Sequence, residues 1–150
     1  MRVVDANVLL YAVNESAPQH AASTRWLDEA LDGGDNVGLS WPVLLAFVRI
    51  ATNPRIMPSP LSAEEALAQV HDWIAAPSAH LLAPGERHAA LLERLILATG
   101  TAANLVNDAH LAALAVEHRA GVVTYDTDFA RFDGVRANRP DELLNRGRSA

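Results

Sequence analysis

The sequence predicts an α/β domain with a mostly parallel central sheet. Short apolar runs, such as residues 3–4 and 121–124, alternate along the chain with longer segments whose apolar residues recur at helical spacing. The 150 residues are enough for one hydrophobic core. No repeat, linker or low-complexity segment divides the chain, so we expect residues 1–150 to form a single domain.

The first half of the chain predicts two strands and four helices. The first strand runs directly into Asp5, and a helix opens after it. Ser62 and Glu65 have the spacing of a capping box, in which each side chain accepts a hydrogen bond from the other residue's backbone. The predicted strands are residues 3–4 and 36–40, and the predicted helices are residues 8–11, 20–31, 43–51 and 63–76.

The second half predicts two further strands, two helices and an edge strand. Gly100 closes the first of these helices, as glycine does at many helix ends. An edge strand is predicted around Val135, and a frayed polar tail is predicted from about Asn145 to residue 150. The other strands are residues 80–82 and 121–124, and the helices are residues 86–99 and 104–119.

The composition limits the location and the partners of the protein. The absence of cysteine excludes disulfides and thiolate metal sites, and it fits a reducing cytoplasm. The start of the chain has neither the basic nor the apolar region of a signal peptide, and no apolar run approaches the roughly 20 residues that span a bilayer. The net charge is −6, and all 12 cationic side chains are arginines. A polyanion would therefore need bound metal or local arginine clusters.

Four aspartates are predicted to meet at one edge of the sheet. Asp5 ends the first strand, and Asp126 and Asp128 follow the strand at residues 121–124. Ligands of open α/β sheets gather beyond the carboxyl ends of the strands. Asp108 lies in the first turns of the preceding helix, and this helix start reaches the same edge if the helix packs antiparallel to the strand.

Clustered carboxylates raise one another's pKa unless a cation is present, and Mg²⁺ prefers oxygen ligands. Two such ions would activate a water and stabilise the leaving oxygen of a phosphodiester. Simpler interpretations compete for each residue. Asp5 is suited to cap the helix that follows it, Asp108 is suited to the first turn of a helix, and Asp126 and Asp128 are suited to a polar turn.

Three motifs together resemble the PIN-domain family, and especially its VapC-type toxins. The motifs extend across most of the chain, from Asp5 to Phe129. They are the opening VVDANVLLYA at residues 3–12, the run NDAHLAALA at residues 107–115, and the segment VTYDTDF at residues 123–129.

The resemblance implies a three-layer α/β/α sandwich and cleavage of RNA with Mg²⁺ or Mn²⁺, one ion or two. It implies Asp5 and Asp108 as the principal metal ligands, Asp126 as a supporting ligand and Asp128 as the more peripheral acid. It also implies a homodimer and a VapB-type antitoxin that blocks the site of the toxin. The candidate substrate-contacting residues are Asn7, Arg49, Arg55 and Thr124.

One position departs from the family pattern. The family usually has a glutamate near Ala46, and residues 40–57 contain no acid. This departure leaves open a degenerate PIN domain that binds RNA or a protein without cleavage. A phosphoryl-transfer hydrolase with Asp5 as nucleophile is disfavoured, because such enzymes of the haloacid-dehalogenase type need an acid two residues later and this chain has Asn7.

Overall fold

The computed structural model describes the backbone of residues 1–147 and the side chains of residues 1–145. Five parallel strands form one sheet in the order β3-β2-β1-β4-β5. The strands are β1 (Arg2–Val4), β2 (Val37–Ser40), β3 (Ala79–Leu82), β4 (Gly121–Val123) and β5 (Ala137–Asn138). The predicted α/β class with a parallel sheet is therefore confirmed.

Seven α-helices are present in the described part of the chain. They are α1 (Ala6–Val13), α2 (His20–Glu29), α3 (Trp41–Ala51), α4 (Ala63–Ala75), α5 (His88–Thr99), α6 (Val106–Glu117) and α7 (Pro140–Gly147). Shorter helical turns cover Ala30–Gly34, Ala103–Leu105 and Thr127–Arg131. None of the helices is long and apolar enough to cross a membrane among the residues described.

The helices lie in two layers around the sheet. The helices α1, α2, α3, α4 and α7 pack in a connected series, and α5 packs on α6, which also contacts β1 and β4. Val3, Val4, Val122 and Val123 are fully buried in the middle of the sheet. A helix that is apolar on most of its surface is usually enclosed, and α6 is buried along residues 111–115. The predicted α/β/α sandwich is confirmed.

Local signals account for several helix ends. The capping box is present, since the Glu65 N–H donates to Ser62 Oγ at 3.1 Å and the Ser62 N–H donates to Glu65 Oε2 at 2.7 Å. Gly100 follows the end of α5 with φ of 72°, and Gly33 lies within the turn after α2 with φ of 109°, a region that side chains with a Cβ rarely adopt.

The C-terminal part of the chain differs from the prediction. The edge strand lies at Ala137–Asn138, two residues beyond Val135, where it pairs with β4. The frayed tail predicted from Asn145 is wrong for residues 145–147, because they belong to α7, whose preceding residues pack on α2. Residues 148–150 of that predicted tail lie outside the described residues.

Candidate metal centre

The carboxyl ends of the two central strands bring distant acids together. The Asp5 N–H donates to the Val123 carbonyl at 3.0 Å, which ties the end of β1 to the end of β4. Asp126 follows β4 after two residues, and Asp128 lies in the turn that comes next. Asp108 lies in the first turn of α6. The four predicted acids therefore share one edge of the sheet.

Three of these acids form a group that can hold a cation. Asp108, Asp126 and Asp128 each offer a carboxylate oxygen, and these oxygens lie within 4.8 Å of one another. Asp108 and Asp128 are partly exposed and Asp126 is exposed, so the group is open to solvent. An all-carboxylate set of this kind suits a hard divalent cation that retains several waters.

Asp5 is held beside this group by a hydrogen-bond network. Its Oδ2 accepts a hydrogen bond from Thr124 Oγ1 at 2.7 Å and another from Asn7 Nδ2 at 2.9 Å. Asn7 Nδ2 also donates to Thr124 Oγ1 at 3.1 Å, and the Asp126 N–H donates to the same hydroxyl at 2.9 Å. Thr124 is almost fully buried. The network therefore fixes the Asp5 carboxylate relative to the segment that carries Asp126.

Asn7 and Thr124 lie within this network. The Asn7 side-chain oxygen accepts a hydrogen bond from the Tyr125 N–H at 3.1 Å, which secures the other end of the amide. Both residues therefore position Asp5 through direct hydrogen bonds. Their predicted contact with substrate remains a prediction.

The pKa values respond to burial and to the crowding of like charge. Burial raises the pKa of the Asp5 carboxyl above its usual range, against the hydrogen bonds from Thr124 and the Ala6 N–H, and the nearby charge of Asp126 raises it further. Burial, together with the neighbouring charges of Asp5, Asp126 and Asp128, raises the pKa of Asp108 to about 6. Uncompensated negative charge at this edge makes a cation favourable there.

The same acids also serve local structure. Asp5 is the N-cap of α1, where its Oδ1 accepts the Ala6 N–H at 2.7 Å. Asp126 caps the turn at Thr127–Arg131 by accepting the Asp128 N–H at 2.8 Å. The capping interpretations are therefore correct for Asp5 and Asp126. Capping uses one oxygen of each carboxylate, and the second oxygen of Asp5 accepts the hydrogen bonds from Thr124 and Asn7. A cation at Asp5 would therefore share oxygens that already accept hydrogen bonds.

The predicted arginines are not joined to the acids. Arg49 lies in the last turn of α3, and Arg55 lies in the loop that follows. Both side chains are exposed. No hydrogen bond or ion pair links either guanidinium to the four acids in the part of the chain that the structure describes. Ala46 is half-buried on α3 and brings no carboxylate to the site.

A buried polar cluster between α5 and α6 was missed by the sequence prediction. His88 Nδ1 lies 2.7 Å from Glu117 Oε2, and His88 Nε2 lies 2.9 Å from His110 Nδ1. The Glu117 carboxylate also accepts the Gly85 N–H. These residues come from separate segments with no ligand-like spacing. The cluster joins the start of α5 to two positions on α6, which are Glu117 at its end and His110 two residues after Asp108.

A parallel five-stranded α/β/α fold with acids at the carboxyl ends of its central strands defines a domain with a candidate divalent-cation centre. A family model described as PIN domain matches residues 2–135. The chain belongs to the PIN-domain family.

One relative and two solved structures are similar to this chain over most of its length. It is 60% identical to Ribonuclease VapC37 of Mycobacterium tuberculosis over 144 residues, which cover 96% of this chain and 100% of the relative. The VapBC2 structure from Rickettsia felis, bound to promoter DNA, gives a TM-score of 0.68 at 14% identity and covers 92% of this chain and 97% of that chain. The structure of Mycobacterium tuberculosis VapC20, a sarcin-ricin loop cleaving toxin, gives a TM-score of 0.62 at 17% identity. The match covers 91% of this chain and 99% of that chain. The two structures share the fold.

Proposed function

We propose that this protein is a metal-dependent endoribonuclease that hydrolyses phosphodiester bonds of single-stranded or structured RNA. The observation that carries the proposal is the group of Asp108, Asp126 and Asp128 oxygens within 4.8 Å of one another, with Asp5 fixed beside it. The high identity to a relative named Ribonuclease VapC37 over nearly the whole chain supports the same activity.

The residues of this edge fit Mg²⁺ or Mn²⁺. Asp5 and Asp108 would be the principal ligands, with Asp126 and Asp128 completing the set for one or two ions. The fit rests on a donor set made only of carboxylates and on the raised pKa of Asp108, since both indicate negative charge that a divalent cation would neutralise. A bound cation would lower the pKa of a water and neutralise charge on the phosphodiester.

The protein's own groups prepare this chemistry. Thr124 and Asn7 hold Oδ2 of Asp5 in one orientation, so the carboxylate does not have to be reorganised when substrate arrives. Asp126 would orient the attacking water from the exposed side of the group. Arg49 and Arg55 would contact the RNA backbone farther from the reacting phosphate.

The biological setting follows from the same proposal. The protein would act in the cytoplasm as the toxin of a toxin–antitoxin pair, as one homodimeric PIN domain, with a VapB-type antitoxin as the partner that blocks the acids. The solved VapBC2 complex from Rickettsia felis pairs a fold of this kind with its partner on promoter DNA.

Cleavage of mixed single-stranded RNA by the purified protein tests the activity. We expect cutting with Mg²⁺ or Mn²⁺ that stops with EDTA and is reduced at least about 100-fold in Asp5→Asn and Asp108→Asn. Asp72→Asn is the matched control, because Asp72 is an exposed acid on α4, away from this edge. Full activity of the Asp5 and Asp108 variants would contradict the assignment of these ligands.

The second candidate function is a PIN domain that binds RNA or a protein without cutting. The observation that favours it is Ala46, which leaves α3 without an acid at the site. Tight RNA binding without cleavage in any metal, by protein that is folded, would support this function over the nuclease.

A further inference from the structure

A cavity of about 610 Å³ lies beside the acids, between the β4–β5 edge of the sheet and α7. We call it the β5 cavity. Thr124 and Asp126 line it on the side of the metal centre, and Arg136 and Arg139 line it on the side of β5 and α7. Pockets of roughly 300 to 1,000 Å³ accept ligands of nucleotide size. The β5 cavity is therefore large enough for a nucleotide that is joined to a phosphate at the acids.

The two arginines of the cavity differ in their partners. Arg139 is engaged by neighbouring acids, with Nη2 at 3.0 Å from Asp141 Oδ2 and Nε at 3.7 Å from Glu142 Oε1. Arg136 is exposed, and no ion pair involves its guanidinium among residues 1–145, whose side chains are described. Arg136 is thus the cation of this cavity that is available to an anionic ligand, and a guanidinium can bind a phosphate through two parallel hydrogen bonds.

The sheet fixes Arg136 relative to the acids. The Val122 N–H donates to the Arg136 carbonyl at 2.8 Å, and the Thr124 N–H donates to the Asn138 carbonyl at 3.0 Å. The strand that leads to Asp126 therefore carries the backbone of Arg136 in a set register. One continuous polyanion can then meet the acids at one point, through a cation, and Arg136 at another.

We propose that the β5 cavity binds the nucleotide next to the phosphodiester that is cut, with Arg136 on the phosphate of that nucleotide. This inference rests on the proposed ribonuclease function. Ala130, Val135 and Ala137 give the cavity an apolar wall against which a ribose or a base can pack. This wall has little hydrogen-bonding capacity, so the cavity secures the strand and contributes little to the choice of base.

The affinity for RNA of a variant that cannot cleave it tests this subsite. The parent is Asp108→Asn, which keeps the RNA intact, and the ligand is a labelled single-stranded oligoribonucleotide of mixed sequence in Mg²⁺. Adding Arg136→Ala should weaken binding by about three- to tenfold and make the slope of log K against log salt shallower by about one. Arg136→Lys should keep the salt dependence of binding and lose part of the affinity, because lysine retains the charge but cannot donate two parallel hydrogen bonds to one phosphate.

Arg87→Ala in the same parent is the matched control. Arg87 is an exposed arginine just before α5, and it does not line the β5 cavity. It should change neither affinity nor slope. Unchanged binding by the Arg136→Ala variant, or an equal loss in the Arg87→Ala variant, would overturn the subsite. Cleavage by the wild-type protein decides the proposed function separately, since binding can depend on Arg136 whether or not the RNA is cut.

Discussion

Asp108 carries much of the cost of assembling the acids without a cation, first because burial removes water from its carboxylate and then because the other acids repel it. Its pKa is raised from 3.8 to about 6, so the folded protein holds this proton more tightly than the unfolded chain does. Between these two values the folded state binds more protons, and stability falls as the pH rises. Above about pH 6 the Asp108 carboxyl is ionised and the loss of folding stability is complete. A bound cation would offset this loss.

Asp108→Asn should therefore stabilise the metal-free protein. The expected gain is about 1 kcal/mol near pH 7, since the group is partly exposed and solvent screens the repulsion. The gain should shrink as the pH is lowered from about 6 towards 4. Urea unfolding in EDTA across this pH range measures it. Added Mn²⁺ should make the wild-type protein more stable than the Asp108→Asn variant, because the ion stabilises the protein that binds it.

Asp72→Asn separates this local effect from the net charge of −6. Both variants remove one negative charge, but Asp72 is an exposed residue on α4. Equal stabilisation by the two substitutions would show that general charge relief, and not the acidic cluster, is responsible.

Thr124 links the two strand ends through one hydroxyl. Its Oγ1 donates to Asp5 and accepts from the Asp126 N–H and from Asn7. Thr124→Val keeps the shape of the side chain but removes the hydroxyl that the Asp5 carboxylate, the Asn7 amide and the Asp126 N–H share. Because this hydroxyl is buried, the substitution should destabilise the protein by about 2 kcal/mol. Thr124→Ser should recover most of this loss. Thermal unfolding of the three proteins tests the role, and a valine variant as stable as wild type would contradict it.

The junction of α5 with α6 contains a short buried contact between His88 and the Glu117 carboxylate. Burial raises the pKa of Glu117, but hydrogen bonds from His88 and the Gly85 N–H, with the charge of His88, lower it more, so the net pKa lies below 4.5. A carboxyl with a lowered pKa contributes stability above its ordinary value and loses that contribution as the pH falls through the folded value.

Glu117→Gln should weaken this junction by about 1 to 2 kcal/mol near pH 7, because it removes the charge from a short hydrogen bond to His88. The difference from wild type should close as the pH falls below 4.5. Chemical denaturation at several pH values measures the effect. Glu93→Gln, an exposed acid on α5, is the control, and a difference that persisted in acid would show that packing and not charge is lost.

Elements with strong local signals could be predicted, and elements made by tertiary contact could not. The capping box at Ser62 and the glycine at the end of α5 are encoded within a few residues. The strand β5 is only two residues long, too short to show an alternating pattern. The helix α7 opens with Pro140, Asp141 and Glu142, a helix-start signal, but the sequence prediction assigned no element to residues 140–144 and a frayed tail from about Asn145, because the packing of α7 on α2 is a tertiary contact.

The gathering of the acids follows from the whole fold, which explains what the sequence could predict about the site. Parallel strands end at one edge, so the proximity of Asp5 and Asp126 was predictable from order alone. The bond between Asn7 and Thr124 spans 117 residues and depends on side-chain rotamers, which no spacing in the sequence specifies. Asp128 lies in the group with Asp108 and Asp126, and its role as the more peripheral ligand stays a prediction.

A cation at this edge should stiffen three distant segments together. The acids belong to the start of α1, the start of α6 and the turn after β4, and these segments have no covalent link near the site. A ligand that binds only the assembled arrangement suppresses local opening of every segment that supplies a donor. Adding Mn²⁺ should therefore slow backbone amide exchange at residues 5–9, 106–112 and 124–131, and leave Ala63–Ala75 of α4 unchanged. Hydrogen exchange followed by mass spectrometry measures this, with Asp108→Asn as the control that should lose the protection in all three segments. Protection confined to one segment would show that its acids bind the ion alone, and the shared centre would then be wrong.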